Sequence, residues 1–91
     1  MLNKKLKKMV KSFASVCKSM PISHTSDEKA WRDFIIAAYP SRKKIQKSDI
    51  ENELMANGWN EVDSQLVAEK FDSDVTLLSE FCKTTLGGLT V

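Results

Sequence analysis

The first twenty residues contain no acidic side chain, no apolar run in the chain of 91 exceeds six residues, and there is a single histidine beside two cysteines. Each shortage removes a class of protein. The longest apolar run, Phe34 to Tyr39, is far short of the roughly 20 residues that a membrane-spanning helix needs. Lys11 and Lys18 interrupt the apolar centre that a secretory signal would require, and the absence of arginine from this segment argues against a mitochondrial presequence. Leu2 stands where myristoylation needs glycine, and no cysteine lies at the C-terminus for prenylation. His24, Cys17 and Cys82 are too few and too scattered to supply the four ligands of a zinc site. Two cysteines do not make a disulfide framework; both fall in apolar helical patterns, so buried free thiols and a reducing, intracellular setting are expected.

Catalytic machinery is sparse for the same reasons. No glycine-rich loop opens a helix to cradle phosphate. The carboxylate pairs Glu51/Glu53 and Asp72/Asp74 sit near expected helix starts, where capping accounts for them. A nucleophilic pair of His24 with either cysteine needs a reachable thiolate, and both thiols are expected to face the core. A chain of this size has little room for a pocket of about 300 Å³ or more beside its core. No enzymatic activity, metal or cofactor is expected.

What the chain does have is charge, unevenly placed. Residues 1–47 carry twelve Lys or Arg against Asp27, Glu28 and Asp33, a balance of +9, and residues 48–91 carry Lys70 and Lys83 against nine acids, a balance of −7. Such a molecule has one positive and one negative end with which to steer a partner. The positive end is organised. Leu2, Leu6, Met9, Val10, Phe13, Val16, Cys17 and Met20 fall within about 120° of arc at about 100° per residue. Lys4, Lys5, Lys7, Lys8, Lys11 and Lys18 lie on the other side. A basic amphipathic helix over residues 1–20 follows, its apolar stripe docked on the remaining helices and its lysines left in solvent.

Glycine and proline punctuate the rest. Pro21 closes the first helix near Met20. Thr25 caps a second helix with Glu28 as its box partner, and Trp31, Phe34, Ile35 and Ala38 form its apolar face. Pro40 ends or kinks it before Arg42, Lys43, Lys44 and Lys47, a basic stretch that reads as a loop or an extra helical turn. Ser48 caps a third helix with Glu51; Ile50 and Leu54 face inward, and Gly58 supplies a left-handed stop. Asn60 begins a fourth helix carrying Val62, Leu66 and Val67 that closes at Phe71, and Asp72 or Ser73 begins a fifth with Val75, Leu78, Phe81 and Cys82. No strand-period run is present. The expectation is an all-α single domain, a compact bundle of four to five short helices, with the helical core over 26–86 and a flexible tail over 87–91.

Two motifs stand within this frame. Ile50 to Phe71 reads as helix, glycine turn and helix, but Glu61, Asp63 and Glu69 on the second helix would face phosphates, and Ser64 stands where a helix-turn-helix wants a buried aliphatic residue. Residues 49–84 resemble a ubiquitin-associated three-helix module: Asn57-Gly58-Trp59 stands where that family has Met-Gly-Phe, and Asp74-Val75 with Leu77-Leu78 and Phe81 matches the start and apolar face of its third helix. The pattern departs at Asn57 and at Ser64, covers under half the chain, and implies a shape rather than ubiquitin binding. Trp59 follows the glycine stop, and reads either as a plug over the third and fourth helices or as an exposed hot spot.

The functional expectation is a small non-enzymatic binding protein, of the adaptor or inhibitor type that phages and mobile elements often encode, docking on a protein or nucleoprotein complex. Its candidate contacts are Lys4, Lys5, Lys8, Lys11, Arg42, Lys43, Lys44 and Lys47, with Trp59 or Tyr39 adding an aromatic anchor if exposed. The alternative is nucleic acid on the same basic residues. A membrane surface comes third, because the amphipathic segment has only Phe13 and no tryptophan to anchor it.

Overall fold

A computed structural model describes residues 2–82. Four α-helices follow one another: α1 (Lys4–Val16), α2 (Thr25–Ala38), α3 (Lys47–Ala56) and α4 (Glu61–Phe81), with a short 3-10 segment, Tyr39–Lys44, between α2 and α3. The all-α bundle is as expected. The tail over 87–91 lies outside the described residues.

The helices pack as two hairpins, α1 on α2 and α3 on α4, with α1 also resting on α3. Phe13 meets Trp31 at 5.2 Å between ring centroids, and Cys17 and Asp27 line the same cleft. These two pairings run α1 and α2 antiparallel. A chain of rings ties the layers together: Phe13 also meets Trp59 at 5.6 Å, Trp31 meets Phe34 at 5.6 Å, and Phe34 meets Phe71 at 5.7 Å. The spine thus draws its rings from α1, α2, α4 and the connection between α3 and α4, and such ring pairs add about 0.5–1.5 kcal/mol each beyond area burial.

Helix boundaries follow capping chemistry, though not always from the residue expected. Asn3 caps α1 by accepting from the Leu6 N–H at 2.8 Å. The helix then stops at Val16 rather than near Met20: Cys17 is already extended and its thiol donates to the Ser19 carbonyl at 3.3 Å. The chain must reverse between residues 17 and 24, and Pro21 keeps Met20 out of helical backbone. At α2 and α3 the acid-to-backbone contact falls one and two residues before the Ser/Thr pattern. The His24 N–H donates to Asp27 Oδ2 at 3.4 Å and the Gln46 N–H to Asp49 Oδ2 at 2.9 Å, so Thr25 and Ser48 lie inside their helices. The acid at the third helical position decides the start, whichever residue precedes it.

The α3–α4 corner is a Schellman motif. Gly58, at φ +97°, gives its N–H to the Met55 carbonyl, and the Trp59 N–H reaches the Leu54 carbonyl at 3.1 Å. That geometry folds the residue after the glycine back onto the helix it has left. Trp59 and Leu54 are accordingly both buried.

The expected break at Asp72 or Ser73 is absent, and α4 runs unbroken for 21 residues. Nothing there competes with the helix. The Thr76 hydroxyl bonds back to the Asp72 carbonyl at 2.9 Å, and half-buried Asp74 reaches across to accept from Trp31 Nε1 at 2.7 Å while pairing with Lys70 at 3.2 Å. Cap-type residues stop a helix only where the backbone changes direction, and no glycine or proline makes it do so here. With two helices over residues 47–81, the three-helix shape implied by the resemblance is not present.

Candidate functional site

α1 presents its charge because its other side is fully engaged. Leu6, Val10, Phe13 and Ala14 are buried, at helical positions opposite Lys4, Lys5, Lys8 and Lys11, all exposed. None of these four lysines forms an ion pair among the described residues. Lys7 differs. It turns toward α3 and lines a small cleft with Leu2, Asp49, Asn52 and Glu53. The outward face thus comprises four ammonium groups on about 120° of helix, with Ser12 and Ser15 among them.

The second basic cluster divides. Because α1 and α2 are antiparallel, the 3-10 segment after α2 lies at the same end of the bundle as the first turn of α1. Lys43 and Lys44 are exposed there and carry no ion pair among the described residues. Arg42 folds back instead: its guanidinium carbon sits 4.0 Å from the centre of the Tyr39 ring, and Nη1 donates to the Tyr39 carbonyl at 2.9 Å. Tyr39 is half-buried beneath it. Lys47 leans toward Asp72 of α4, with Nζ 4.0 Å from Oδ2. Trp59 is 5% exposed; its ring is a core element and offers no contact surface. The basic face that remains is Lys4, Lys5, Lys8 and Lys11, extended at one end by Lys43 and Lys44.

A cleft of about 350 Å³, larger than the composition suggested, opens between the end of α1 and the start of α2. Cys17, Lys18, Ser23, His24 and Asp27 are among its lining residues. The histidine and thiol therefore share a cleft, yet the chemistry runs against a thiolate. Burial pushes the Cys17 thiol above its usual range, and the neighbouring Asp27 carboxylate pushes it further. Asp27 is itself buried, and its Oδ1 has no hydrogen-bond partner. No group of three or more His, Cys, Asp or Glu side chains among the described residues is arranged to hold a metal ion. No helix among them is long and apolar enough to cross a membrane.

On α4 the buried stripe is Ser64, Val67, Ala68 and Phe71. The Ser64 hydroxyl donates to the Asn60 carbonyl at 2.7 Å, so a polar residue occupies the core without an unmet bond. Val62 and Leu66 consequently face solvent, with Leu77 further along the helix. The sequence reading passed over this exposed apolar stripe. Its signal was available in the spacing of Ser64 from Val67, Ala68 and Phe71, which marks the buried side once serine is admitted to it.

No protein-family model matches the chain, and no curated protein or solved structure is significantly similar to it.

Proposed function

We propose that the protein is a non-enzymatic binding module that docks its lysine face on an acidic surface of a larger macromolecule, a protein or nucleoprotein complex. The observation that carries this reading is the set of four exposed lysines on α1, unpaired among the described residues. The helix beneath them is fixed by buried Leu6, Val10 and Phe13. A rigid face of one sign gives a partner a fast, salt-sensitive encounter and a defined register. The protonated thiol of the His24 cleft supports the non-catalytic part of the reading. Capture from the native cell tests it. Wild-type protein should retain a partner that the Lys4/Lys8/Lys43/Lys44→Glu variant loses; equal retention by both would move the docking face elsewhere.

Nucleic acid is the alternative occupant of this face. The aromatic spine is internal and Tyr39 is covered by Arg42, so the face has no platform on which bases could stack. Binding would then rest on phosphate contacts, be indifferent to sequence, and weaken steeply between about 50 and 200 mM salt.

A further inference from the structure

We propose that the chain associates with copies of itself head to tail, the lysine face of α1 in one copy lying along the solvent face of α4 in the next. The two faces complement each other in charge. α1 carries five lysines and no acid, and α4 carries six acids against Lys70 alone. They do not meet within one molecule, because the exposed lysines of α1 and the exposed acids of α4 face away from the shared core, while Lys7 and Asp74, which turn inward, meet α3 and Trp31. Lys4, Lys5, Lys8 and Lys11 form no ion pair among the described residues, and neither do Glu61, Asp63 and Glu69.

Dimensions and apolar surface agree with the charge. At 1.5 Å per residue, α1 spans about 20 Å and α4 about 31 Å, so the whole lysine face fits along the acidic helix. Val62, Leu66 and Leu77, exposed at 66%, 44% and 60%, fall within about 60° of the α4 surface. Glu61 and Glu69 flank that stripe on one side and Asp63 on the other. Lysine side chains suit such a surface: their four-carbon stems cover apolar area while the ammonium groups reach the acids at its edge. Pairing α4 with α4, or α1 with α1, sets like charges together. The favoured contact is therefore between different surfaces, and such contacts propagate into open chains rather than closing as symmetric dimers. The proposal rests on the lysine face being the docking face, and it gives that face a self-partner which a foreign acidic surface would displace.

Sedimentation equilibrium on the full chain tests it, at about 20 mM and about 300 mM salt so that screening differs between the two. The wild type should gain apparent mass with protein concentration at low salt and remain monomeric at high salt. Lys4/Lys8/Lys11→Glu and Glu61/Glu69→Lys variants should each be monomeric alone. Mixed in equal amounts they should gain mass, because the lysine face kept by one meets the acidic face kept by the other, and the two reversed faces are again opposite in charge. Far-ultraviolet circular dichroism confirms that both remain helical, and Gln in place of the reversed charges repeats the comparison should a reversal cost helicity. A wild type that stays monomeric up to millimolar protein at low salt, or a mixture no heavier than its components, overturns the proposal. Neither result touches docking on a foreign partner, which the capture experiment reads separately.

Discussion

α1 and α4 are both amphipathic, yet they use that property in opposite ways. α1 is short and basic: Leu6, Val10, Phe13 and Ala14 are buried, Val16 at its end is exposed, and its outer face is lysine and serine. α4 is long, acidic and open: its buried stripe ends at Phe71, and Val62, Leu66 and Leu77 remain in solvent. Charge and apolar exposure need not travel together. On α1 the exposed face is dominated by lysine, whereas on α4 the charge borders an apolar stripe. α1 is therefore a pre-formed electrostatic face, and the outer half of α4 is held by half-buried Val75 and Leu78 and by the Trp31–Asp74 bond rather than by fully buried residues.

Truncation should separate the two helices most. Phe13→Ala removes the ring that joins Trp31 to Trp59 and should destabilise the fold by about 3–5 kcal/mol. Leu77→Ala should change stability by no more than about 0.5 kcal/mol. Urea unfolding of both variants measures the contrast, and similar losses would mean that the outer half of α4 is as firmly packed as α1.

Trp31→Phe should have an intermediate effect. It deletes the 2.7 Å bond from the indole N–H to Asp74, and a hydrogen bond to a charged acceptor is worth about 1.5–3 kcal/mol. Because this bond anchors α4 beyond its last buried residue, amide exchange should accelerate over residues 72–81 and little on α1. Uniform acceleration would show that the contact serves the global fold.

A smaller effect concerns the start of α3. The Gln46 N–H holds the Asp49 carboxyl below its ordinary range. A carboxyl depressed in the folded state contributes stability above its unfolded pKa and loses it as pH falls through the folded value. Asp49→Asn should therefore cost stability at neutral pH and flatten the acid limb of the urea midpoint against pH. An unchanged acid limb would show that Asp49 does not govern it.

Thiol chemistry gives the mildest comparison. Cys17 is buried on the α1 side with its thiol held protonated, and Cys82, at the end of α4, is half-buried. Under native conditions a thiol reagent should modify Cys82 first and Cys17 only as the protein opens, which peptide mapping at timed intervals resolves. Faster modification of Cys17 would mean that the end of α1 is open.

How much of this was legible in the sequence follows from which signals are local. The α1 stripe apart from Val16, which is exposed, the inward Ile50 and Leu54, the Gly58 stop and the Asn60 cap carry signals within a few residues, and they stand in the fold. The end of α1 and the continuity of α4 depend on distant partners. Asp74 looked like a helix start, yet its side chain serves Trp31, 43 residues away. The caps of α2 and α3 were misplaced because two acids stand side by side or two apart, Asp27 with Glu28 and Asp49 with Glu51, and local chemistry fits either. For the candidate site, the lysines of α1 were readable from periodicity. Trp59 was ambiguous because its burial depends on the Schellman turn folding it back toward Phe13, and Arg42 was expected to be free because its stacking on Tyr39 needs the 3-10 turn.

Photo-crosslinking in the native cell tests the central claim most directly. A photoreactive amino acid replaces Ser12, which lies among the α1 lysines, or Ser73, which lies on the solvent face of α4; both positions are exposed. A foreign macromolecule should be captured from Ser12, and the Lys4/Lys8/Lys43/Lys44→Glu background should abolish this capture. A foreign macromolecule captured from Ser73 and not from Ser12 would contradict it and make the acidic helix the docking face.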